Sequence, residues 1–132
     1  MNAVFIAALA IVTGALAWVR LAPSDPAKWH VPLTFEASDT TPGAAYRVVS
    51  GTSDTVQRLH QIALDTPRTR VLAGDPGAGH VTYITRSRVF GFPDYTTVQL
   101  TDGTLRLYAR LRFGKSDIGV NAARLDAWLG AL

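Results

Sequence analysis

The sequence predicts an α+β fold: a small, mainly antiparallel β-sheet with two packed α-helices, preceded by one N-terminal transmembrane helix. Three observations predict it, namely an apolar N-terminal run, alternating segments on both sides of an Asp-Gly turn, and two stretches with helical spacing of apolar residues. The chain has 132 residues, which is room for one small domain. It contains no cysteine, which excludes disulfide frameworks, thiolate metal sites and cysteine nucleophiles.

Residues 1–20 are predicted to form a transmembrane anchor or uncleaved signal segment. No charged side chain occurs before Arg20. At about 1.5 Å per residue, a helix of this length approaches the roughly 30 Å thickness of a hydrocarbon core. Two alternatives remain open for this segment. It could be a cleaved signal peptide, since Ala-Leu-Ala at 15–17 resembles a cleavage site, or a buried core helix. Trp18 and Trp29 favour the anchor, as interfacial residues that flank a retained helix.

Residues 21–43 are predicted to form a Pro-rich linker or an irregular wrap. The prolines at 23, 26, 32 and 42 argue against a sustained helix or strand in this segment. Apolar side chains alternate with other residues from Trp29 to Phe35. Part of the segment is therefore expected to lie extended against the domain.

Residues 44–132 are predicted to form the α+β domain. Its first half begins with a short strand at 46–49. Side-chain oxygens at 52–54 are suited to cap a helix that runs to about Leu64. A strand at 69–73 follows, and a glycine-rich loop ends it.

The second half of the domain has the clearer pattern. Strands are predicted at 81–90, 95–101 and 104–113, and a final helix at 120–132. Asp102-Gly103 predicts a two-residue hairpin of type I′, which fixes a register with apolar side chains on one face. The predicted pairs are Thr101 with Thr104, Leu100 with Leu105, Gln99 with Arg106, Val98 with Leu107, Thr97 with Tyr108 and Tyr95 with Arg110.

The basic charge is concentrated in the last strands and the start of the final helix. Residues 86–124 hold seven Lys and Arg against three Asp, which is +4, whereas the whole chain is +3. Arg106, Arg110 and Arg112 share one strand face with Tyr108. This stripe is either a solvated face whose arginines pair with nearby aspartates, or an anion site completed by the turn into the last helix.

Several other types of site are not predicted. His30, His60 and His80 lack metal-ligand spacing, so no metal is expected, and no cofactor is predicted. Residues 109–116 fit a relaxed phosphate-loop pattern, but the strand alternation continues through them. Nucleic-acid binding is not expected either, because no helix-turn-helix, aromatic RNA-binding strand or Lys-rich tract is present.

Two segments carry a longer motif. Residues 88–94 include a Phe-Pro-Asp turn, and residues 112–124 read Arg-x-Gly-x-Ser-Asp-x-Gly-x-Asn followed by an Arg. From about Val48 to Leu132, the chain thereby resembles the uncharacterised bacterial family called domain of unknown function 1499. It departs from that family at Ala109 and Leu111, where many members have serine. The matching positions are Phe92, Pro93, Asp94, Arg112, Gly114, Ser116, Asp117, Gly119, Asn121 and Arg124.

The resemblance implies a membrane-associated or exported bacterial protein without an established activity. We expect a single pass through the bacterial inner membrane. The sequence does not decide whether the soluble domain lies on the periplasmic or the cytoplasmic side of the membrane, because few charges flank the apolar run. Within the motif, Asp117 or Ser116 is expected to cap the turn into the last helix and Asn121 to cap the helix itself. Asp94 is expected to pair with Arg112 or Arg124.

The favoured function is a non-catalytic, membrane-anchored domain that binds an anionic ligand, a lipid headgroup or an envelope protein through its Arg-rich face. One alternative is a small hydrolase-like enzyme with a site around Asp94, Arg112, Ser116, Asp117 and Asn121. Another is a structural accessory of the envelope without a small ligand. The candidate ligand-binding residues are Asp94, Arg110, Arg112, Lys115, Ser116, Asp117, Asn121 and Arg124.

Overall fold

The computed structural model describes residues 2–132, and these residues confirm the predicted fold class. The helices are α1 (Ala3–Leu21), α2 (Pro26–Trp29), α3 (Ser53–Asp65) and α4 (Val120–Gly130). The strands are β1 (Asp39–Thr41), β2 (Ala44–Ser50), β3 (Thr69–Asp75), β4 (His80–Arg86), β5 (Pro93–Thr101) and β6 (Thr104–Leu111). All neighbouring strands are antiparallel, in the order β1-β2-β6-β5-β4-β3.

The helices α3 and α4 pack on one face of the sheet and form the core with it. Leu59 and Leu125 supply fully buried side chains from the two helices. Val98 and Leu107 face them from the paired strands β5 and β6. Burial of each such side chain contributes about 1.5–3 kcal/mol, so this layer supplies the main stabilisation of the domain.

The hairpin between β5 and β6 confirms every pair in the predicted register. Asp102 and Gly103 have φ angles of 50° and 79°. Positive φ at both central residues is the requirement of a type I′ turn, which an Asp-Gly sequence meets with little strain. The apolar alternation and the turn therefore specify the same register.

Several strand boundaries differ from the prediction. β4 ends at Arg86 rather than at residue 90, because Ser87 closes a loop: its amide donates to Phe92 O, its carbonyl accepts from the Gly91 amide, and its Oγ accepts from the Phe92 amide. β6 ends at Leu111 instead of Phe113. The segment at 21–43 contains the short helix α2 and the edge strand β1, neither of which the sequence predicted.

The opposite face of the sheet is covered by residues 22–36, which we call the strap. The Leu33 amide donates to Oε1 of Gln99 at 2.7 Å, which fixes the strap to β5. Trp29 does not flank α1 as an interfacial residue, as was predicted, because its ring stacks on Tyr95 with centroids 3.9 Å apart. The strap therefore joins α1 to the centre of the sheet.

The helix α1 is long and apolar enough to cross a membrane. Its 19 residues correspond to about 28 Å. Among these residues only Val19 is buried, so the helix projects away from the domain and exposes its apolar side chains.

Candidate functional site

The predicted arginine stripe on β6 lies beneath the strap and is not a solvated face. Arg110 is only 6% exposed. Each of the three guanidinium groups donates to a carbonyl oxygen of the strap and none pairs with an aspartate of the described residues, although Arg106 also forms a salt bridge with Glu36 at 3.2 Å. Arg106 donates to Phe35 O at 2.7 Å, Arg110 to Trp29 O, and Arg112 to Pro23 O at 2.9 Å.

The environment of Arg110 explains why a charged group is tolerated at this depth. Arg110 also donates to Oγ1 of Thr97 at 2.8 Å, and its guanidinium carbon lies 4.3 Å from the Tyr108 ring centroid. Burial lowers the pKa of Arg110 to about 10, so the group stays charged at neutral pH. The stripe is therefore occupied by the protein's own backbone.

Four of the predicted site residues form one network at the start of α4. Nη1 of Arg124 lies 3.5 Å from Oδ2 of Asp94 and donates to Oδ1 of Asn121 at 2.5 Å. Nδ2 of Asn121 donates to Oδ2 of Asp117 at 2.7 Å. The pairing of Asp94 with Arg124 follows one of the two predicted alternatives, because Arg112 points to the other face of the sheet.

Gly119 is the N-cap residue of α4 and no side chain of the described residues caps it, whereas Asp117 and Ser116 cap the turn that leads into the helix, as predicted. Oδ1 of Asp117 accepts from the Gly119 amide at 2.9 Å, and Oγ of Ser116 accepts from the Ile118 amide at 3.2 Å. Asn121 lies inside α4, and it is fully buried. Its predicted capping role is therefore wrong: a residue in the first turn directs its side chain into the network instead.

Burial dominates the electrostatics of this network. It raises the pKa of Asp94 above its ordinary value, although the Arg124 guanidinium opposes the shift. Burial also lowers the pKa of Arg124. An ion pair in such a setting stays charged only because each partner compensates the desolvation of the other.

A cavity of about 510 Å³, which we call the motif cavity, opens beside this network. Its polar lining comes from Asp94, Ser116, Asp117 and Arg124, together with Ser87 from the loop after β4. The rest of the lining is apolar. Asn121 is buried against Asp117 and Arg124 and does not line the cavity. Lys115 is exposed outside it, and Arg110 and Arg112 lie across the sheet. Of the five residues of the hydrolase-like alternative, the lining includes Asp94, Ser116 and Asp117 but not Arg112 or Asn121.

A second cavity, of about 640 Å³, lies where α1 meets the sheet. We call it the arginine cavity. It is lined by five arginines and a single carboxylate residue, Asp65, which gives a formal charge of +4. The five arginines are Arg20, Arg68, Arg70, Arg86 and Arg88.

Three of the five guanidinium groups of this cavity donate to backbone oxygens. Arg20 donates to Phe90 O at 3.1 Å and to Val89 O at 2.7 Å. Arg86 donates to Gly91 O at 2.9 Å, and Arg68 donates to Arg86 O at 3.0 Å. Within residues 2–132, none of the five lies within salt-bridge distance of a carboxylate oxygen. Most of their positive charge is therefore uncompensated.

The sequence does not show this cluster directly, because the charge summed along the chain does not reveal which arginines the fold brings together. Arg20 and Arg70 lie outside the basic region at 86–124, yet the fold places them beside Arg86 and Arg88, at the start of that region. Antiparallel pairing places Arg70 opposite Ile84. Both strands were predicted, so pairing them as neighbours would have pointed to Arg68 and Arg70.

The structure also places two of the three histidines together. The rings of His30 and His80 stack with centroids 3.8 Å apart. Nδ1 of His30 lies 2.8 Å from Oγ1 of Thr82, and Nε2 of His80 lies 3.0 Å from Val31 O. Burial lowers the pKa of both histidines. In the described part of the chain, no three His, Asp or Glu side chains form a potential metal site.

Comparison with known proteins places these sites within one family. A family model described as protein of unknown function (DUF1499) matches residues 19–132. No curated protein matches this chain. The family match spans the strap, the sheet, α3, α4 and the motif loops, and it begins at the last turn of α1. This chain therefore belongs to the DUF1499 family.

Proposed function

We propose that this protein is a membrane-anchored domain that binds anionic lipid headgroups in the arginine cavity. One observation carries the proposal: five guanidinium groups without a carboxylate partner in the described residues line one cavity at the end of an apolar helix. The proposed location is the bacterial inner membrane, crossed once by α1.

The exposed surface of α1 supports its role as the anchor. Ile11 is 72% exposed and Leu21 is 80% exposed, and both are apolar side chains that a hydrocarbon environment would bury. Arg20 attaches the end of the helix to the backbone of the loop after β4. The arginine cavity consequently lies close to the expected membrane surface.

The chemistry of the lining favours a phosphate group. Guanidinium groups donate pairs of parallel hydrogen bonds to phosphate oxygens, and they remain charged at every physiological pH. Each basic residue near an anionic leaflet contributes about 1 kcal/mol of attraction. Arg70 and Arg88 make no hydrogen bond to another described residue through their side chains, so their donors are free for a ligand.

The test compares lipids retained by the full chain. The protein is reconstituted in nanodiscs of phosphatidylcholine and phosphatidylglycerol, and native mass spectrometry counts the lipids that stay bound. We expect phosphatidylglycerol to be enriched. The double variant Arg68→Gln/Arg70→Gln is expected to lose about tenfold of that preference, which corresponds to about 1.4 kcal/mol.

Arg58→Gln is the matched control, because Arg58 is an exposed arginine on α3 outside the cavity lining. This variant should keep the enrichment. Excess soluble glycerol phosphate distinguishes the source of the phosphate, since it displaces the lipid only if the cavity accepts free phosphate esters. Equal retention of both lipids, or an unchanged preference in the double variant, would contradict the proposal.

A further inference from the structure

The mouth of the motif cavity carries exposed apolar side chains. Ile118 is 93% exposed, Val120 49% and Phe92 38%, and all three line the cavity. Val89 and Phe90 add exposed apolar surface on the same loop as Phe92. Apolar side chains gathered in this way around an opening are typical of a surface that contacts lipid or another apolar partner.

The backbone at Ile118 strengthens this interpretation. Its φ angle is 55°, a left-handed conformation that is strained for a β-branched residue. Its side chain gains almost no burial within the domain that would offset the strain. Strain of this kind persists at functional sites, so a contact outside the domain would account for an isoleucine here.

The position of the cavity identifies the bilayer as the source of that contact. The loop that carries Val89, Phe90 and Phe92 is bonded to Arg20 at the end of α1. The mouth of the cavity therefore lies beside the point where the proposed membrane helix leaves the bilayer. An amphiphile could enter it directly from the lipid phase.

The polar end of the cavity determines which headgroup fits. Oγ of Ser87 accepts from the Phe92 amide at 2.9 Å, and Oγ of Ser116 accepts from the Ile118 amide, so each hydroxyl keeps its proton to donate. The Asp94 side chain is 16% exposed, and its contact with Arg124 is long at 3.5 Å. This carboxylate therefore has capacity to accept a further hydrogen bond.

Charge selects a neutral headgroup over an ionised one. Two carboxylates, those of Asp94 and Asp117, line the cavity against one guanidinium group, that of Arg124, and the resulting formal charge of −1 would repel an anion. A cation would compete with Arg124 for Asp94. A hydroxyl group meets neither penalty, because it can donate to Asp94 and accept from a serine.

From these observations we infer that the motif cavity binds a single-chain amphiphile with a neutral, hydroxyl-bearing headgroup, supplied by the bilayer. The hydroxyl groups bond to Asp94 and to Ser87 or Ser116, and the apolar chain leaves past Phe92 and Ile118. A volume of about 510 Å³ is sufficient for such a headgroup and the first part of its chain. This site is separate from the arginine cavity and takes a ligand of different chemistry.

The test uses the full chain in nanodiscs of uncharged phosphatidylcholine. These nanodiscs contain a monoacylglycerol with a photoactivatable diazirine in its acyl chain. After irradiation, the labelled peptides are identified by mass spectrometry. We expect labels at residues 89–92 and 113–120, and we expect competition by unlabelled monoacylglycerol but not by the methyl ester of the same fatty acid. Because no anionic lipid is present, this result is independent of headgroup selection by the arginine cavity.

A variant tests the polar contact. Ser87→Ala/Ser116→Ala removes both candidate hydroxyls from exposed loops, and we expect labelling to fall about fivefold, the effect of one lost hydrogen bond. Ser53→Ala, at the exposed start of α3, is the matched control and should leave labelling unchanged. Equal competition by the methyl ester, or labels confined to α1, would overturn the inference whether or not the variant folds.

Discussion

Arg110 donates a hydrogen bond to the carbonyl oxygen of Trp29, and its guanidinium carbon lies 5.6 Å from the centroid of the Trp29 ring. Arg106 and Arg112 make equivalent bonds to carbonyls on either side of this contact. Three arginines of one strand thus fasten the strap along its length. Because the strap continues from α1, these bonds also join the proposed membrane anchor to the sheet.

The first prediction concerns this fastening. Arg110→Met should lower the free energy of unfolding by about 3 kcal/mol, because the Trp29 carbonyl and the Thr97 hydroxyl lose a charged donor in a buried setting. Chemical denaturation of the full chain in a mild detergent, followed by circular dichroism, measures the change. Arg58→Met, on the exposed side of α3, should shift the same quantity by no more than about 0.5 kcal/mol. Equal effects of the two variants would contradict the role of Arg110.

The second prediction concerns pH. The pKa values of His30 and His80 are lowered chiefly by burial, while each ring faces the other and Arg110 adds positive charge near His30. The unfolded chain therefore binds protons more readily than the folded chain. The part of the free energy of unfolding that depends on these two histidines should be fully present above their ordinary pKa of 6.5. It should be lost as the pH falls below that value.

Denaturation midpoints of the full chain between about pH 5 and pH 8 check this direction. The double variant His30→Gln/His80→Gln removes both stacked rings, so it should show a flatter dependence across that window. An increase of stability on acidification of the unmodified chain would rule the prediction out.

The third prediction concerns the network beside the motif cavity. Asn121→Ala should destabilise the protein by about 2–4 kcal/mol, since Asp117 and Arg124 each lose a bonding partner at a fully buried position. Gln57→Ala removes an amide of similar chemistry from the exposed surface of α3 and should have little effect. Comparable midpoints for the two variants would show that the network carries little stability.

The fourth prediction concerns the strained loop residue. Ile118→Asn should stabilise the protein by about 1 kcal/mol, because asparagine tolerates a φ angle of 55° better than isoleucine and no buried contact is lost. Thermal unfolding of the full chain measures the change. Ile118→Val keeps the branched side chain and should leave the melting temperature nearly constant. A destabilising effect of the asparagine variant would indicate that the isoleucine packs within the domain.

The accuracy of the sequence predictions depended on the range of the interactions involved. The hairpin around Asp102 and Gly103 was predicted residue by residue, because a two-residue turn and its alternating strands are local features. The end of β4 was not predicted correctly. Val89 and Phe90 have a high β propensity, but they lie outside the sheet in a loop that Ser87 closes. Within the candidate site, the capping of the turn before α4 by Asp117 or Ser116 was predicted, whereas the burial of Asn121 was not.

The sequence by itself determined the class of fold, the hairpin register and the fact that Arg106, Arg110 and Arg112 share one face. Only the tertiary structure decided which arginines are available to a ligand. Alternation along a strand separates two faces, but it does not report what covers each of them. The strap that covers Arg110 comes from 81 residues earlier in the chain, and Arg20 reaches Phe90 across 70 residues. Contacts over such separations depend on the packing of the whole domain, which local periodicity does not encode.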